Sequence, residues 1–256
     1  MLIFETVLDY WHLILLFFTV AVLYSSVGFG GGSSYLAILA FTGILFTQIR
    51  ATALLCNIVV VSGNVFLFLQ HKKIDFKKIA PLVLFSIPLA FLGGMIQISQ
   101  HFFFVLLGFT LLFAAITMWF SKRIIASNER QSNLKLLKSS SFGGFIGFIS
   151  GMVGIGGGIF LAPLLHLSNW DTPKKIAATA SVFILVNSIA GFIGQYSSPD
   201  FLIDWHLTAV LLATVFIGGQ IGSNMSSAYF TSVQLKKATA ILIAFVGVRI
   251  LLKYIF

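Results

Sequence analysis

The sequence predicts an all-α polytopic membrane protein of two inverted repeats, each a broken or re-entrant helical hairpin plus three transmembrane helices, about eight hydrophobic segments in all. Three observations carry this prediction. Hydrophobic residues make up 58% of the 256 residues and charged residues only 9%, a balance of lipid-embedded rather than soluble chains. The run Gly28-Phe29-Gly30-Gly31-Gly32 recurs as Gly154-Ile155-Gly156-Gly157-Gly158, each copy inside a long apolar stretch. Lys and Arg gather in a few short loops between apolar segments, as cytoplasmic loops do.

Windows of about 20 apolar residues place spans near 51–70, 79–98, 102–120, 176–196, 206–225 and 238–255. Regions 11–48 and 139–168 are each longer than one span and contain a glycine run. The apolar halves after the runs, Tyr35 to Phe46 and Ile159 to Leu167, reach only about halfway across a core of roughly 30 Å. Lys72, Lys73, Lys77 and Lys78 mark one basic loop, Lys122, Arg123, Arg130, Lys135 and Lys138 the next, followed by Lys174, Lys175 and Lys236, Lys237. With all four inside, only Arg50, Arg249 and Lys253 remain near the other face. Region 139–168 then enters and returns from the inside, and region 11–48 does so from the outside.

The organisation expected is a first membrane repeat at 1–121, a basic cytoplasmic linker at 122–138 and a second repeat at 139–256. Shorter matches keep the same order: Ala51-Thr52-Ala53 with Ala178-Thr179-Ala180, Ile74-Asp75-Phe76 with Ile203-Asp204-Trp205, and Gly93 with Gly222. No basic residue precedes Arg50, so the chain lacks a signal-peptide start and the first apolar segment is expected to stay. Cys56 is the single cysteine and lies in an apolar segment, which leaves no internal disulfide or paired-thiol metal site. The formal charge of +9 sits in membrane-flanking loops, which sets nucleic acid aside and leaves anionic lipid as the neighbour.

Gly154-Ile155-Gly156-Gly157-Gly158 followed by Leu161-Ala162-Pro163, then Ala177-Ala178-Thr179-Ala180-Ser181, resembles the sulfite exporter TauE/SafE family, also called the toluene-sulfonate uptake permeases. The resemblance covers nearly the whole chain. It implies a multi-pass transporter of the cell (cytoplasmic) membrane carrying small sulfur-containing or carboxylic anions, such as sulfite, an organosulfonate or a carboxylate. Substrate and direction vary within that family, so the resemblance selects neither.

The residues themselves point to an anion. If Gly30, Gly31 and Gly32, and Gly156, Gly157 and Gly158, break their helices near the bilayer centre, the following half-helices present free N–H groups and partial positive charge there. Glycine suits such a break because it adopts positive φ and puts no side chain before the amide. Ser33 and Ser34 add hydroxyls in the first copy, whereas Ile159 and Phe160 stand in the second. Close helix packing is the competing reading of glycine. Gly143, Gly147, Gly151 and Gly218, Gly222, spaced by four, are read that way, while three consecutive glycines disfavour a continuous helix.

Thr52, Asn57, Thr179, Ser181 and Asn187 are the in-span polar groups expected to complete the shell, or equally to tie neighbouring helices. Asn57 and Asn64 lie seven apart, on nearly the same helix face. Arg50 and Lys175 are read as charges at the two entrances, with interfacial anchoring as the alternative. All seven acidic residues fall outside the spans, which argues against a cation pathway or a carboxylate proton relay. The five histidines show no ligand spacing, and no nucleophile has a base beside it, so no metal, cofactor or catalytic residue is expected. The function read from the sequence is alternating-access transport of a small anionic solute; an anion channel with the same central site is the alternative, and oligomeric state stays open.

Overall fold

The computed structural model describes residues 7–120, 136–167, 170–199, 201–225 and 232–255. Lys122, Arg123, Arg130 and Lys135 of the basic linker lie outside these residues. Among the helices described from Trp11 onward, each half contributes two shorter helices separated by glycine and then three long ones. In the first half these are α1 (Trp11–Ser25), α2 (Gly32–Leu39), α3 (Phe46–Gln70), α4 (Phe76–Met95) and α5 (Gln100–Phe120). In the second they are α6 (Leu136–Val153), α7 (Gly158–Leu167), α8 (Pro173–Tyr196), α9 (Trp205–Asn224) and α10 (Ser232–Ile255). Helix α6 begins inside the expected linker, and α3 and α8 begin earlier than their apolar windows. Five of the helices, α3, α4, α5, α8 and α9, are long and apolar enough to cross a membrane. Every regular element among the described residues is a helix, and the protein is a multi-pass membrane protein.

Local chemistry sets the helix starts. Asp75 caps α4 by accepting from the backbone N–H groups of Lys77 and Lys78, and Asp204 caps α9 by accepting from His206 and Leu207. The matched tripeptides around Asp75 and Asp204 are therefore one capping device used twice. Pro173 opens α8, where a missing N–H is harmless.

Glycine seams fix how the helices lie together. Helix α4 meets α6 at Leu82 with Gly143, Ser86 with Gly147 and Ala90 with Gly151, so the two run in the same direction. Helices α1 and α9 do the same through Phe18 with Gly218 and Val22 with Gly222. A Cβ added to Gly147 would stand 2.5 Å from the Ser86 carbonyl, and one on Gly143 2.6 Å from that of Leu82. These spaced glycines are packing residues. Helix α4 also rests on α8, as α9 rests on α3, while α3 packs on α8 and α5 on α10. Exchanging the two halves leaves this set of contacts unchanged. The outer faces carry Leu84, Phe85, Phe109, Phe113, Phe216, Ile217 and Phe245 exposed, an apolar surface suited to lipid.

Candidate functional site

Both glycine runs break the chain where the sequence places the breaks. After α1 the backbone takes positive φ at Gly28 (82°) and Gly31 (129°), and after α6 at Gly154 (88°), Gly156 (83°) and Gly157 (80°). Any other residue is strained at such angles. The first intrahelical bond of α2 is Tyr35 N–H to the Gly31 carbonyl, so the N–H groups of Gly32, Ser33 and Ser34 have no partner of this kind. In α7 the first is Phe160 N–H to the Gly157 carbonyl, leaving Gly158 and Ile159 in the same position.

Two asparagines of α3 hold the two breaks. Asn57 Nδ2 donates to the Ile155 carbonyl at 2.8 Å, and Asn64 Nδ2 donates to the Phe29 carbonyl at 3.3 Å. Phe29 and Ile155 are the second residues of their pentapeptides, so one helix face clamps the equivalent carbonyl of each copy. The Ser25 hydroxyl lies 2.9 Å from Asn64 Oδ1 and 2.7 Å from the Gly219 carbonyl, and has one proton to give to either. Asn57 is fully buried, its Oδ1 has no partner, and a Cβ on Gly30 or Gly32 would collide with its amide. Unsatisfied buried polar atoms are rare and mark strain, function or a missing ligand.

A cleft opens between the breaks. Gly30, Gly31, Gly32, Ser33, Asn57, Ile155 and Gly158 line it, with Tyr24 and Phe29 beside them. Met118, Ile159, Ala162, Pro163 and Ile184 complete the wall and are apolar. A solute placed there would meet one carboxamide, hydroxyls and helix-start N–H groups beside a largely apolar wall.

The other residues singled out from the sequence stand as follows. Ser34 is buried and exchanges a 2.8 Å hydrogen bond with the Tyr24 hydroxyl. Gly156 lies against Ser188 and Asn57, and Gly157 against Phe183, behind the cleft wall. The Ser181 hydroxyl faces the Gly28 carbonyl and the Ala177 carbonyl of its own helix, with one proton to give to either, and the first of these contacts joins α8 to the first break. Thr52 meets Thr208 of α9 at 3.0 Å. Asn187 Nδ2 donates to Phe183 of its own helix at 2.8 Å, and Thr179 is buried outside the cleft lining. Tyr24, Met118 and Ser188 enter only with the tertiary structure, whereas Asn64 was already marked by its seven-residue spacing from Asn57.

Arg50 and Lys175 occupy opposite ends of α4 and α8. Arg50 is 4% exposed and its Nη2 faces the carbonyls of Gly94, in the last turn of α4, and Gly151, in the last turn of α6. Lys175 is at the start of α8, 3.6 Å from Asp171, whose other oxygen accepts from Lys78 Nζ at 2.7 Å. Partial burial raises the Asp171 carboxyl, but hydrogen bonds from Lys78 and the Thr172 N–H, and the charges of Lys78 and Lys175, outweigh it and hold Asp171 below its ordinary value. A depressed folded value stabilises above the unfolded one, about pH 3.9, and that contribution is lost as pH falls through the folded value. Thermal melts below about pH 4 should therefore show a loss that Asp171→Asn removes. Lys78 and Lys175 are 40% and 44% exposed, so the change should be about 1 kcal/mol or less.

Residues 13–250 match the sulfite exporter TauE/SafE family. A probable membrane transporter protein of Sinorhizobium fredii is 32% identical over 247 residues, covering 92% of this chain and 95% of that one. A probable membrane transporter protein of Methanocaldococcus jannaschii is 29% identical over 197 residues, 73% of this chain and 72% of that one. Another, of Bacillus subtilis, is 21% identical over 225 residues, 78% and 82% of the two chains. No solved structure matches the chain.

Proposed function

This chain belongs to the sulfite exporter TauE/SafE family, and from that premise we propose that it is a secondary transporter of small organic or sulfur-containing anions which binds its solute between the two glycine breaks. Membrane transport follows the named relatives. The solute class rests on the cleft, where two helix starts present N–H groups and none of the described lining residues is a carboxylate. The observation that carries the proposal is the pair of bonds from Asn57 to Ile155 and from Asn64 to Phe29, which bring equivalent points of both breaks to one helix.

Helix directions support an inverted arrangement. Lys78 and Asp171 join the starts of α4 and α8, and α4 runs with α6, so α6 and α8 begin at the same end. The segment α6–α7 then enters and leaves by that end. Thr52 with Thr208 and Val60 with Gly219 align α3 with α9, which runs with α1, so α1–α2 enters and leaves by the other. Lys72, Lys73, Lys77, Lys78, Lys174 and Lys175 all lie at the α4 and α8 starts, which supports that end as the cytoplasmic one. Alternating access would proceed by rocking the halves, with the Asn57 to Ile155 bond, which joins the two halves, broken and remade.

Purified protein in proteoliposomes is expected to give saturable, competitor-sensitive uptake of at least one of radiolabelled sulfite, sulfate, thiosulfate, a short organosulfonate or a short carboxylate. An imposed pH gradient tests proton coupling in the same experiment. Steady electrical conductance for the same anion would replace alternating access with a channel. Absence of flux for the whole set, in folded and inserted protein, would overturn the solute class.

A further inference from the structure

We infer that a second oxyanion site lies where α4 and α8 end, with the Arg50 guanidinium as its fixed charge. It is separate from the cleft between the glycine breaks and does not depend on that cleft binding a solute. Arg50, Gln195, Gln97, Thr47 and Ser198 line an opening bounded by Phe46, Ile98 and Phe201. Every polar side chain among them carries an N–H or O–H to donate, and among the described residues no Asp or Glu lines the opening.

Arg50 is the decisive group. Its two contacts, to Gly94 and Gly151 at 3.4 and 3.5 Å, are longer than ordinary N–H to O bonds, and its buried Nε has no partner. Among the described residues the ion pairs involve Asp171, at the far end of α4 and α8, and none involves Arg50. The ends of α4 and α6 supply partial negative charge that helps hold the guanidinium, but a buried charge without a counter-ion is costly. Gln195, 5% exposed in the last turn of α8, likewise has an Nε2 with no partner. Two unpartnered donors, both more than nine-tenths buried, open onto one cleft. A sulfate, sulfonate or carboxylate seated between them would offer acceptor oxygens to both.

The site belongs to one end only, because Ala177 holds the position equivalent to Arg50 in the second half. It also adjoins the second break. A Cβ on Gly154 would stand 3.1 Å from the Arg50 backbone, so the turn of α3 that presents the guanidinium supports the start of that loop. The occupant is a solute oxyanion gathered at the mouth; a lipid phosphate offers the same chemistry and is separated by the test.

In a Cys56→Ala, Ser198→Cys protein in detergent without anionic lipid, a sulfonate-bearing methanethiosulfonate should react faster than its trimethylammonium counterpart. With each rate normalised to free 2-mercaptoethanol, the preference should be about tenfold, a modest instance of electrostatic focusing. Millimolar sulfate should slow the sulfonate reagent. Arg50→Gln should abolish both the preference and the protection, and Arg50→Lys should retain most of the preference. Equal normalised rates with no sulfate protection in the Arg50-containing protein would overturn the site without any substitution at Arg50. Protection that appears only with phosphatidylglycerol vesicles and ignores sulfate would overturn the solute assignment in favour of a lipid phosphate.

Discussion

Replacing Asn57 by leucine is expected to lower solute flux in proteoliposomes by one to two orders of magnitude while leaving the protein folded. Leucine keeps nearly the shape of asparagine but supplies neither the donor to Ile155 nor the free Oδ1 at the base of the cleft. Leaving one buried carbonyl unsatisfied corresponds to about 1–3 kcal/mol, which is roughly 5- to 150-fold in a rate or an affinity. Asn57→Asp should be at least as damaging, since a second acceptor or a negative charge would face the Ile155 carbonyl and the anion. Asn187→Leu is the contrasting variant. Its amide bonds its own helix at Phe183 and lies outside the cleft lining, so flux should change by no more than a few fold. Equal losses in the Asn57 and Asn187 variants would remove Asn57 from the binding site and reduce it to a packing residue.

Gly151→Leu is expected to impair folding rather than transport alone. A Cβ at Gly151 would run into the Ala90 carbonyl across the α4–α6 seam, and Gly191 of α8 approaches the same point. Backbone cannot move aside as a flexible side chain can, so the penalty should reach or exceed the 1–3 kcal/mol typical of overpacking. The variant should show a lower monodisperse fraction in detergent and a thermal midpoint several degrees below wild type, roughly 2–4 °C per kcal/mol for a chain of this size. Wild-type melting would mean that α4 and α6 do not meet at Ala90. Gly31→Leu and Gly157→Leu, which would put a side chain before the amides, are poorer tests of amide access. Both positions have left-handed φ, and an added Cβ would stand 2.9 Å from the Tyr35 ring or 2.8 Å from that of Phe183.

Most of the fold was legible in the sequence because lipid imposes a length and a composition on every span. The windows locate the long helices, and the glycine runs locate both breaks. The helix starts were placed late where polar residues lead. Helix α3 takes in Thr47, Gln48 and Arg50, and α8 takes in Lys174 and Lys175, before the hydropathy rises. Buried polar residues in an apolar run also announce themselves, and Asn57 was visible for that reason. Its partner was not, since Ile155 lies in the other half of the chain and only the packing of α3 against the second break brings them together. Arg50 shows the same gap. A cation ahead of an apolar stretch reads as an entrance charge or an anchor near lipid, and neither reading shows that it turns inward to the ends of α4 and α6. Likewise Met118, Ile159 and Pro163 look like ordinary span residues, yet they supply the apolar wall of the cleft.

The central claim is that an anion binds between the two glycine breaks, and protection of Ser33 tests it most directly. Ser33 lines the cleft in the first turn of α2, and Cys56 can be replaced by alanine to leave Ser33→Cys as the sole thiol. The account predicts that ethanesulfonate, sulfate or acetate, whichever the flux assay identifies as carried, slows maleimide labelling of Cys at this position in a saturable way, with half-protection near the concentration that half-saturates flux. Labelling at an unchanged rate across that concentration range, in protein that still transports, would place the solute elsewhere and contradict the assignment of the breaks as its site.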